Sequence, residues 1–189
     1  MPSGPGVIEE GLIAEIAATI PPGVASFLLT SETDVDAIVE QQRRTQVNTL
    51  QLVDALPPGA HKRLREALPG IALVQVIHVL GEKSIAEARE AAPHVNAILL
   101  DSGNPGLPVK LLGGTGRVHD WEISLKIRES VECPVFLAGG LAPGNAGEAI
   151  RRVGPYGLDV CSGVRTNGQL DPIKLRDFFS EVENSRSIS

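Results

Sequence analysis

With 189 residues and 42% hydrophobic content, the chain suits one domain around one continuous core, and excludes a disordered or fibrous class. A net charge of -6 argues against a nucleic-acid backbone as partner, because binding phosphate by charge needs a basic surface. Cys133 and Cys161 stand far apart, with no CxxC or nearby His, which argues against both zinc and a disulfide scaffold.

In chain order, 8–20 has helical apolar spacing and stops at the breaker Pro21-Pro22-Gly23. An apolar run at 24–30 predicts a strand, and 34–44 a helix with Ser31 or Thr33 as its cap. A strand at 50–53 precedes an amphipathic helix at 58–68. The run 71–80, rich in Val and Ile, predicts a buried parallel strand. Helix 82–92, strand 97–101 and a long loop at 103–116 follow. Helix 121–130 starts after Asp120 as its cap, ahead of strand 134–138 and helix 144–153. Strand 158–161 and helix 172–182 close the pattern.

One leading helix and six strand–helix units predict an α/β fold with parallel strands and right-handed crossovers. A closed (β/α)8 barrel needs eight units and typically about 250 residues. The alternatives are an open doubly wound sheet and a TIM-type barrel without its first strands. A leading helix with no strand before it favours the barrel. No apolar run approaches the roughly 18 residues of a membrane span, and MPSGPG at the start shows no signal-peptide pattern. A cytoplasmic protein is the expectation.

Strand tips in such a fold share one face, where active sites are built. Asp101 ends an apolar strand, either as a buttress for the next loop or as a general acid. Gly113, Gly114 and Gly116 form a surface loop or a lid that excludes water over a substrate. Gly139-Gly140, between a strand and a helix, makes a tight turn or lets the backbone approach an anion. Ser162-Gly163 ends the next strand and strengthens the second reading, because adjacent late strands hold phosphate in barrel enzymes. Asp159 shares a face with Cys161 and makes either a structural hydrogen bond or a substrate contact. His61 and His94 read as surface residues, His78 as a core histidine and His119 as part of the glycine-loop region. These histidines build no triad and no metal set.

The blocks LLDS, GGTGRVHDW, LAGGLAPGNAGEAI and GLDVCSGV, in that order and spacing, resemble the C-terminal half of phosphoribosylanthranilate isomerase. The resemblance extends upstream through PPGV and through Gln51, placed like the family's QLHG. It implies a TIM-type barrel that starts at the loop after the family's second strand, without the first strand-helix-strand. It also implies an Amadori rearrangement in tryptophan biosynthesis, with Asp101 as the acid and no cofactor. An anionic sugar phosphate would sit on Gly139, Gly140, Ser162 and Gly163, with Gln51 and Asp159 touching substrate. Residues 1–189 hold no Lys-x-Cys-Gly motif, which carries the family's general base. They have Ser3-Gly4-Pro5-Gly6 where the family has a basic loop residue, and Val53 in place of the QLHG histidine. The competing expectation is an impaired, phosphate-binding or structural relative. Unpaired edges left by the missing strands predict a possible homodimer.

Overall fold

Apolar runs and amphipathic stretches fold into alternating strands and helices in the computed structural model, which describes residues 7–102 and 120–186. Within each of the two units of the fold, strand order follows chain order. The residues group into two units, Met1–Val76 with His94–Ala97, and Ile77–Pro93 with Ile98–Ser189.

The first unit opens with α1 (Glu10–Thr19), β1 (Phe27–Thr30), α2 (Val35–Thr45), β2 (Thr49–Leu52) and α3 (Ala60–Ala67), and takes in most of β3 (Ala72–His78). Its strands pair in parallel, with Phe27 opposite Thr49 and Thr49 opposite Ala72. Leu50, Leu52, Ile38, Leu64 and Leu73 are fully buried and form its core. At the strand starts, Ser26 and Asn48 bond reciprocally. Ser26 N–H donates to Asn48 Oδ1 at 2.9 Å, and Asn48 N–H donates to Ser26 Oγ at 3.0 Å. The cap of α2 is neither Ser31 nor Thr33. Asp34 takes that place and accepts the Ala37 N–H at 2.9 Å, because its side chain sits one residue before the first helical turn.

The second unit comprises α4 (Lys83–Ala91), β4 (Ala97–Asp101, all but its first residue), α5 (Trp121–Ser130), β5 (Val135–Leu137), α6 (Pro143–Val153), β6 (Gly157–Leu158) and α7 (Pro172–Arg186). Strands β4, β5 and β6 are parallel, with Ile98 opposite Val135 and Phe136 opposite Gly157. Helices α6 and α7 pack at Gly147, where a Cβ would lie 2.8 Å from Ser185 Oγ. Asp120 caps α5 as expected, accepting the Glu122 N–H at 2.9 Å.

Two elements depart from the expectation. The strand foreseen at 158–161 pairs only over Gly157–Leu158, and a 3-10 turn at Ser162–Val164 follows it. A short antiparallel hairpin, β7 (Arg165–Thr166) with β8 (Gln169–Leu170), precedes α7. Asn167 and Gly168 form its turn with positive φ at both positions, the strongest short-range hairpin signal in sequence.

Candidate active site at the strand ends of the second unit

Three strand ends meet in the second unit through backbone bonds. Ala138 N–H donates to Leu100 O at 2.7 Å, and Asp159 N–H donates to Leu137 O at 2.8 Å. The tips of β4, β5 and β6 are thereby in register, and each presents its next residues at the same end. Asp101 closes β4 with 6% of its surface exposed. Its Oδ1 accepts the Ser102 N–H at 2.8 Å, and its carbonyl accepts the Val79 N–H at 2.9 Å. One carboxylate oxygen is thus held by the backbone, which fixes the side chain.

Gly139 follows β5 with φ of 83°, in the left-handed region. A Cβ there would stand 2.5 Å from Ser102 Oγ, so only glycine lets the β5 tip close on the β4 tip. Ser102 Oγ is buried without a hydrogen-bond partner among the described residues. Gly140 continues the turn with φ of 67°. Asn145 stitches this turn to α6: its Nδ2 donates to Gly140 O, and its Oδ1 accepts the Ala142 N–H, both at 2.9 Å. Sequence reading passed over Asn145. The signal available was an amide at the third position of a helix that starts with Pro143.

Gly163 lies in the 3-10 turn after β6. A Cβ on it would fall 1.8 Å from Leu141 O, so this turn rests directly on the segment leaving Gly140. The four residues expected to cradle an anion, Gly139, Gly140, Ser162 and Gly163, therefore form two touching turns. Asp101 joins them through Ser102.

Asp159 extends from the end of β6. Protein atoms crowd its carboxylate, and this burial raises its pKa from the ordinary 3.8; the Asp101 charge adds to the effect. Asp159 retains access to solvent, which makes the effect modest. Ionisation of Asp159 costs the folded state more than the unfolded one. Stability is therefore greatest below the ordinary carboxylate value and falls as pH rises through the raised one. Asp159→Asn is expected to match the parent in thermal melts at low pH and to melt higher near neutrality. Melting curves that stay parallel across that range would remove Asp159 from a charged neighbourhood.

Gln51 belongs to the first unit, where it is buried on β2 opposite Leu29 and Val74. Gly113, Gly114, Gly116 and His119 lie outside the described residues. His61, half-buried, contacts Gln75 Oε1 through Nε2 at 2.9 Å and stacks near His94 with ring centroids 6.3 Å apart. Cys161 is exposed, whereas burial pushes the Cys133 thiol up. Among the described residues no His, Cys, Asp and Glu group could hold a metal, and no helix is long and apolar enough to cross a membrane.

The profile of the N-(5'-phosphoribosyl)anthranilate isomerase family matches residues 21–181, most of the chain. The chain belongs to the phosphoribosylanthranilate isomerase family. Among its relatives is the N-(5'-phosphoribosyl)anthranilate isomerase of Methanocella arvoryzae, 36% identical over 88% of this chain and 76% of that protein. Isomerase 2 of Methanosarcina mazei is 36% identical over 94% of this chain and 78% of that protein. The phosphoribosyl anthranilate isomerase structure from Thermococcus kodakaraensis superposes with a TM-score of 0.75, at 28% identity, over 94% of this chain and 82% of its own. The Thermotoga maritima structure gives 0.78 at 25% identity, with the same coverage. The fold is thus the parallel (β/α) barrel type of this isomerase family.

Proposed function

We propose that the chain catalyses the Amadori rearrangement of N-(5'-phosphoribosyl)anthranilate in tryptophan biosynthesis. The observation that carries this reading is Asp101, buried at a strand end beside two touching glycine turns, in a chain 36% identical to named isomerases. Backbone N–H groups of the turns at Gly139-Gly140 and Ser162-Gly163 bind the substrate phosphate, which suits a chain with a net charge of -6. The phosphate anchors the sugar so that its ring oxygen meets the Asp101 carboxyl.

Asp101 gives its proton to the ring oxygen while the bond from that oxygen to C1 breaks. The anthranilate nitrogen supplies the electron pair, and an iminium forms. A base then takes the C2 proton, and the electrons left behind neutralise the iminium as an enolamine. Tautomerisation gives the aminoketose. The imine within the substrate is the electron sink, so the reading needs no cofactor. Within residues 1–189 no Lys-x-Cys-Gly motif supplies the base, and Asp159 and Cys161 are the groups to replace first.

A steady-state assay with phosphoribosylanthranilate tests this. The 189 residues alone are expected to turn over about 10²–10⁴-fold more slowly than a family member carrying the cysteine base, the usual worth of one acid–base group. Retained phosphate binding with no turnover would mark a binding protein instead. Turnover equal to the relative's would locate a full-strength base inside these residues.

A further inference from the structure

Between the two turns proposed to hold phosphate lies a backbone donor with no acceptor among the described residues, the N–H of Leu141. Asn145 decides where it points. Asn145 Nδ2 donates to Gly140 O and its Oδ1 accepts the Ala142 N–H, both at 2.9 Å. One planar amide therefore holds the carbonyl before Leu141 and the N–H after it, which puts both on one edge of that residue.

A trans peptide sets its C=O and N–H on opposite sides, and no described peptide is cis. The N–H and C=O of Leu141 consequently share the other edge, as they do along a strand. That edge meets the second turn, because a Cβ on Gly163 would lie 1.8 Å from Leu141 O. The Leu141 N–H is thus held toward the junction of the two turns.

The restraint depends on one bond. Among the described residues only Asn145 Nδ2 donates to Gly140 O. The peptide that it fixes follows two glycines with φ of 83° and 67°, and glycine gives the backbone the widest freedom to turn. Rotation of that peptide would swing the Leu141 N–H away from the junction. Asn145 is itself anchored, half-buried in the first turn of α6 beside the fully buried Ala146.

We propose that Asn145 is a positioning residue for the substrate phosphate, acting through the Leu141 N–H that it aims. This rests on the phosphate placement proposed above. A role confined to capping α6 would be met by aspartate, which accepts the Ala142 N–H equally well and suits a helix N-terminus. Aspartate cannot donate to Gly140 O.

The test is calorimetric titration of the 189-residue chain with ribose 5-phosphate, with ribose as the control lacking phosphate, beside thermal melts. Asn145→Asp is expected to melt near the parent yet bind at least about tenfold more weakly, the effect of losing one hydrogen bond to a charged group. Asn145→Ala brings no charge to repel phosphate and is expected to weaken binding as much. Asn145→Gln keeps the amide, at a helix position where glutamine reaches back to the same N–H, and is expected to restore most of the affinity. Parent-like binding by Asn145→Ala overturns the proposal, because any aspartate effect is then charge repulsion. Weak binding matched by early melting in all three variants overturns it in favour of a structural role. If Gly163→Ala weakens binding and the Asn145 variants do not, the phosphate placement stands and the role of Asn145 falls. A parent that binds ribose 5-phosphate no better than ribose removes both.

Discussion

Asp101→Asn is expected to lower kcat by about 10²–10⁴-fold, the range for losing a general acid, and to leave phosphate binding unchanged. The substitution is nearly isosteric at a buried site. The asparagine oxygen can still accept the Ser102 N–H now taken by Asp101 Oδ1, so the β4 tip keeps its geometry. What disappears is the proton that the ring oxygen needs and the charge that Asp159 feels. The second loss gives an independent readout. Asp101 is the lesser of two causes raising the Asp159 pKa, so in the variant that group should titrate lower but stay above 3.8. Unchanged kcat together with a lowered Asp159 pKa would show that Asp101 is a neighbour of the chemistry and not its acid. Unchanged values of both would displace it from the site altogether.

The parts of the fold legible in sequence were those set by local pattern. Buried parallel strands such as 97–101 are unbroken apolar runs, and Asp120 before Trp121 is a plain helix start. The cap of α2 was harder. Ser31, Thr33 and Asp34 all carry capping side chains, and only the first helical φ/ψ decides among them. The strand at 158–161 was read too long because its apolar run gives no sign of the turn. That turn depends on Gly163 fitting under Leu141, a contact 22 residues away. Asn145 was missed for a related reason: its role is to accept and donate across a turn shaped by positive φ at Gly139 and Gly140. Residue types marked the candidate turns, but only packing shows that they touch. The glycine loop at 113–116, expected as a surface loop or a lid, lies outside the described residues.

That contact between turns carries the second large effect. Gly163→Ala places a Cβ 1.8 Å from Leu141 O, well inside the closest approach any side-chain carbon makes. The obstacle is a backbone carbonyl, so relief requires the Ser162–Val164 turn and the Leu141 segment to separate. Overpacking of this kind costs about 1–3 kcal/mol of stability. It also moves the N–H groups proposed to hold phosphate. A hydrogen bond to a charged group contributes about 1.5–3 kcal/mol, so losing one weakens a sugar phosphate by about ten- to a hundred-fold. The control is Gly144→Ala in the first turn of α6, where a Cβ meets nothing within 4 Å. That change should stabilise by about 0.5–1 kcal/mol, the usual gain of alanine over glycine in a helix, and leave affinity unchanged. Calorimetric titration with ribose 5-phosphate, beside thermal melts of both variants, separates the two effects. If Gly163→Ala melts early yet binds as the parent does, the turn is structural and the phosphate sits elsewhere.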